Sequence, residues 1–117
     1  MKLLITIVTQ HHYSLKQAEE LGNLLLNELG ENTTIQSIKP YTKFTDAYSI
    51  HLEKTIPVGN LSVEIHQAIA IADQLVSPWL SYYDSDSQKI ELIYNHTDQT
   101  QKRQPSFNEI RWAQLTY

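Results

Sequence analysis

The chain has 117 residues, of which 41% are hydrophobic and 19% charged, with a net charge of −4. That is enough chain for one hydrophobic core and a composition that excludes a disordered or low-complexity polymer. Cysteine is absent, which rules out a disulfide framework, thiolate metal sites and a cysteine nucleophile, and suits a reducing compartment.

In chain order, Lys2 to Thr9 reads as the first strand. Both of its alternating sets (Leu3, Ile5, Ile7 and Leu4, Thr6, Val8) are apolar or β-branched, the pattern of a strand central in a sheet. The apolar run at Met1–Val8 is too short for a signal segment and leads into Gln10-His11-His12 without a cleavage site. Together with the lack of any membrane-length run, this predicts a cytoplasmic protein. Ser14 with Gln17 forms a capping box, and Leu15, Ala18, Leu21, Leu25 and Leu29 make the apolar stripe of a helix. Gly30 stands at the helix C-cap, and Gly22 inside it implies close approach of helix and sheet.

Thr33 to Lys39, ending at Pro40, and Ala47 to Ile56 read as two strands joined by a polar loop over 41–46. In the second, Tyr48, Ile50 and Leu52 alternate with Ser49, His51 and Glu53, which predicts a sheet with one wet face. Asn60 or Ser62 caps a second helix running to about Val76, where Ser77-Pro78 stops it. Trp79–Tyr83 and Lys89–Asn95 form a hairpin around Asp84-Ser85-Asp86-Ser87, and a solvated stretch, Thr97–Gln104, leads to a last strand over Ile110–Tyr117. The expected fold is a single α+β domain: two helices on one face of a mostly antiparallel sheet, in ferredoxin-like β-α-β-β-α-β order with two additional C-terminal strands.

No motif specifies a reaction. Glycine-rich phosphate loops, nucleophile elbows and HExxH are absent. The Asp84–Ser87 tetrad lacks the glycine and closing glutamate of a calcium loop. His51, His66 and His96 sit on separate elements with no ligand spacing to join them to His11-His12, so neither a metal nor a cofactor is expected. A small hydrolase using His11 or His12 as general base, with Tyr13 and Ser14 nearby, is the enzyme reading. It ranks below the binding readings because no second catalytic element can be named.

Charge is uneven. Residues 61–98 hold six acids (Glu64, Asp73, Asp84, Asp86, Glu91, Asp98) against Lys89 alone. No basic run invites nucleic acid, and an acidic surface suits a basic protein partner. Seven tyrosines and two tryptophans outnumber two phenylalanines, the aromatic type favoured at interfaces. Trp112 is expected as a core anchor, whereas alternation turns one of Tyr82 and Tyr83 outward beside the acidic turn.

The segment Phe107-Asn108-Glu109-Ile110-Arg111-Trp112-Ala113-Gln114-Leu115 resembles the closing strand of small bacterial immunity proteins, the antitoxins paired with contact-dependent growth-inhibition and other polymorphic toxins. The short, acidic, cysteine-free profile is similar too. The resemblance implies a non-enzymatic protein that binds a cognate toxin C-terminal domain, often a basic nuclease, and blocks it. The expected contacts, placed by charge and aromatic content, are Tyr82, Tyr83, Asp84, Asp86 and Glu91. The alternative is a ferredoxin-like homo-oligomeric, ligand-binding module that associates through a sheet edge or open face.

Overall fold

The computed structural model describes residues 1–84 and 86–117; Ser85, within the expected turn tetrad, lies outside the described residues. Its strands are β1 (Lys2–Thr9), β2 (Thr33–Pro40), β3 (Tyr48–Thr55), β4 (Val76–Ser77), β5 (Leu80–Asp84), β6 (Lys89–Asn95), β7 (Gln101–Lys102) and β8 (Ile110–Thr116). Helix α1 spans Leu15–Leu29, α2 spans Leu61–Asp73, and a short 3-10 helix covers Pro105–Glu109. Phe107 to Glu109 therefore precede the closing strand instead of belonging to it.

Local chemistry sets the helix ends. The Ser14 hydroxyl accepts the Gln17 N–H at 3.3 Å, while the Gln17 side chain accepts the Tyr13 N–H at 2.6 Å. At the other end of α1, Gly30 takes φ 78°, and Lys54 of β3 donates to the carbonyls of Leu29 at 2.7 Å and Glu31 at 2.9 Å. An ammonium there satisfies carbonyls the helix leaves open and opposes its negative end. Asn60, not Ser62, caps α2 by accepting the Val63 N–H at 3.0 Å. That helix ends at Asp73, before the proline, because Val76–Ser77 pairs with Gln101–Lys102 in a two-stranded ribbon. The expected solvated stretch over 97–104 thus contains a strand.

The main sheet has six strands in the order β2-β3-β1-β8-β6-β5, and every pairing is antiparallel. The first main-sheet strand after α2 does not close against β1. It runs to the far edge as β5, and the C-terminal strand β8 inserts between β6 and β1. Seen from the sheet, β2-β3-β1-β8 keeps the antiparallel arrangement of a split βαβ fold, but the chain reaches the fourth place last.

Both helices lie on one face. Leu3, Ile5 and Ile7 of β1 join Leu21, Leu25 and Leu29 of α1, Ala68, Ile71 and Ala72 of α2, and Leu92, Tyr94, Ala113 and Leu115 in one buried core. Full burial of each large aliphatic side chain contributes about 1.5–3 kcal/mol. Gly22 is where α1 comes close: a Cβ there would stand 3.1 Å from Ile35 Cδ1. The opposite face of the sheet carries no helix, so β1 is central by position yet open on that side at its start, although Val8 near its end is buried. Leu4 is accordingly 50% exposed.

Candidate functional site

The uncovered sheet face is assembled by register, since residues directly opposite on paired strands share a face. One row runs Glu53, Leu4, Thr116, Glu91, Tyr82. The next runs His51, Thr6, Gln114, Ile93, Leu80, and the third Ser49, Val8, Trp112, Asn95. The set Ser49, His51, Glu53 lies on the non-helix side, as its alternation predicts. Burial, then the charge of Lys39, lowers the His51 imidazole pKa from its ordinary value.

At one end of this face stands the acidic hairpin. Tyr82 and Glu91 are cross-strand partners, as are Asp84 and Lys89. Tyr82, Asp84 and Glu91 therefore share the open face with Leu80, while Tyr83 points to the helix side opposite Ile90. Tyr82 is 53% exposed. The Asp84 carboxylate is engaged within the turn, accepting the Asp86 N–H at 3.0 Å and the Ser87 hydroxyl at 2.8 Å. These bonds, the Ser87 hydroxyl first, lower its pKa from the usual aspartate value. Glu91 accepts the Gln114 side-chain N–H. The other acids of 61–98 do not gather here: Glu64 is buried on α2, Asp73 ends that helix, and Asp98 follows β6. The negative surface is thus a local one at the hairpin.

At the other end of the same face the 41–46 loop folds over β1, β8 and β6. It encloses a cleft of about 700 Å³ lined by Tyr41, Lys43, Phe44, Val8, Gln10, Asn95, His96, Arg111 and Trp112. A bulge delivers the arginine. Val8 pairs with Trp112 and Thr9 with Ile110, leaving Arg111 as the extra residue, and such irregularities re-aim side chains. Its guanidinium lies 4.2 Å from the Phe44 ring centroid. Nε donates to the Thr9 carbonyl at 3.1 Å and Nη2 to Asp46 Oδ1 at 2.5 Å. The second Asp46 oxygen accepts the His11 N–H at 2.9 Å. That bond, followed by the nearby Arg111 charge, holds the Asp46 pKa below its usual value against the opposing effect of desolvation.

This cleft escapes sequence reading because its walls come from residues 8–10, 41–44, 95–96 and 111–112. Trp112, expected in the core, is instead half-buried on the cleft wall. Trp79 packs against the core, its ring 5.6 Å from Tyr94.

The two adjacent histidines part company. His11, at φ 61°, is exposed beside Asp46. His12 is 1% exposed, and its Nε2 donates to Glu109 while Nδ1 has no partner among the described residues. Ser14 is occupied as a helix cap. A sealed imidazole cannot reach a substrate, so the hydrolase reading retains only His11 as general base. Among the described residues no three His, Asp or Glu side chains cluster as metal ligands do, and no helix is long and apolar enough to cross a membrane.

Compared with known proteins, the chain matches no protein-family model, no curated protein and no solved structure.

Proposed function

We propose that this protein is a non-enzymatic immunity protein that binds a cognate toxin domain through the open sheet face at its acidic hairpin. The observation that carries the reading is the alignment of exposed Leu80 and Tyr82 with Asp84 and Glu91 on the helix-free side of the sheet. Rigid aromatic and aliphatic area bordered by carboxylates is the surface a basic domain recognises. The similarity of residues 107–115, of which Ile110 to Leu115 lie in β8, to the closing strand of immunity proteins supports the choice of partner.

The test is co-purification with the toxin domain encoded next to the gene. Tyr82→Ala with Asp86→Lys leaves the Asp84 turn bonds in place and should weaken binding about thirtyfold or more, with added salt weakening the wild type. Undiminished binding and protection by the double variant would remove the hairpin from the interface. Absence of any binding would remove the immunity role itself.

A second reading rests on the sheet edge. All five residues of β5 are exposed, and the strand has no proline, lysine or bulge to discourage pairing. The opposite edge, β2, carries a register shift between Ile35 and Ser37, then Lys39 and Pro40. Edge-to-edge self-association through β5 follows, and light scattering decides it. A dimer in the wild type that Ser81→Pro dissociates supports the oligomeric module; a monomer at high concentration excludes it.

A further inference from the structure

We propose that the cleft beneath the 41–46 loop binds a small planar anion, a flat ring bearing a phosphate or carboxylate. The inference is independent of whether the hairpin end engages a toxin.

The cleft is a cationic site in a chain of net charge −4. Its lining includes Lys43 and Arg111 and no carboxylate. Asp46, behind Arg111, offsets much of that residue's charge, so the net attraction falls to Lys43, for which no ion pair occurs among the described residues. Arg111 contributes direction instead. A guanidinium has five N–H donors, and the Thr9 and Asp46 bonds use only part of that set. Those bonds and the Phe44 ring hold the guanidinium in place before a ligand arrives, which lowers the ordering cost of binding.

The walls select for a flat body. Tyr41 and Trp112 line the cleft beside Phe44, whose ring carries the Arg111 guanidinium, and aromatic side chains of this kind can stack a ring at about 1–3 kcal/mol per base. Its volume of about 700 Å³ falls within the roughly 300–1,000 Å³ usual for small-molecule sites. Strand geometry separates this end from the acidic turn: Asn95 to Lys89 along β6 is about 20 Å at roughly 3.3 Å per residue.

Trp112 makes the site readable. In a Trp79→Phe variant its fluorescence is followed against adenosine monophosphate, benzoate, adenosine and inorganic phosphate. The expected result is a saturable change with adenosine monophosphate or benzoate at millimolar concentration or below. The tighter of the two assigns the source to nucleotides or to simple aromatic acids. Adenosine lacks the charge and inorganic phosphate lacks the ring, so each should bind at least about tenfold more weakly than the better ligand. Lys43→Glu, on an exposed loop position, should weaken the better ligand by a similar factor, whereas Arg111→Lys should lose affinity through its directed bonds. The proposal is overturned if neither anion gives a saturable change, if adenosine or phosphate alone equals the better ligand, or if Lys43→Glu leaves its affinity unchanged.

Discussion

Arg111 and Asp46 lie 65 residues apart in the chain, and Arg111 Nη2 donates to Asp46 Oδ1 at 2.5 Å. The pair ties the loop between β2 and β3 to the bulge of β8, with the His11 N–H on the second carboxylate oxygen. One carboxylate thereby organises three segments that form or adjoin the cleft.

Asp46→Asn should free the loop and diminish the acid response of the fold. Because the folded-state pKa of Asp46 is lowered, its stabilising contribution is present above the ordinary aspartate range and is lost as pH falls through the lowered value. Thermal melts from pH 6 to pH 2 should show a smaller acid-induced drop for the variant than for the wild type. Equal drops would show that Asp46 gains nothing from these bonds on folding.

Tyr94→Phe tests a buried hydroxyl. Tyr94 is fully buried, and its hydroxyl donates to Thr100 Oγ1 at 2.9 Å. Losing that bond should cost about 0.5–1.5 kcal/mol in urea unfolding, since Thr100 Oγ1 still accepts the Thr97 N–H at 2.9 Å. Burial also raises the Tyr94 pKa. The associated stability is therefore full below the ordinary tyrosine value of about 10 and is lost as pH rises through the folded value. The variant should lose less stability than the wild type between pH 9 and pH 11.

Glu109→Ala removes the partner of buried His12. With Nδ1 already unpartnered among the described residues, neither ring nitrogen would then have a hydrogen bond to any of them. A loss of about 1–3 kcal/mol is expected by denaturant titration. Restoration in Glu109→Gln, which still offers an acceptor, would assign the effect to the hydrogen bond.

Gly22 measures how tightly α1 sits on the sheet. Alanine gains about 1 kcal/mol of helix propensity, opposed by crowding 3.1 Å from Ile35 Cδ1 and 3.4 Å from Ile38 Cδ1. Those are mobile side-chain ends, so Gly22→Ala should fall within about 1 kcal/mol of the wild type. Gly22→Leu should destabilise by about 1–3 kcal/mol through overpacking. A stable leucine variant would refute close packing at this point.

Local patterns carry the elements because caps, alternation and helical stripes act between neighbours in the chain. Ser14 with Gln17, Gly30, the alternation of β3 and the pairing across Leu80–Asp84 and Lys89–Asn95 are all legible without coordinates. The turn between those strands was legible as well, as the polar stretch that holds Asp84 and Asp86. Periodicity cannot say that Tyr83 turns to the helix side while Tyr82 joins Glu91, because that depends on which face the neighbouring strands cover.

The sequence by itself determined the α+β class, the two amphipathic helices and the alternation of β3, since each follows from spacing within one segment; the side of β3 expected to be wet is only partly so, with Ser49 buried. Tertiary structure alone decided that β8 reaches β1 while β5 takes the edge, and that Trp112 leaves the core for a cleft wall. It alone brought Arg111 to Asp46. Such pairings depend on strand order and on a one-residue bulge between distant segments, which leave no periodic trace in either segment.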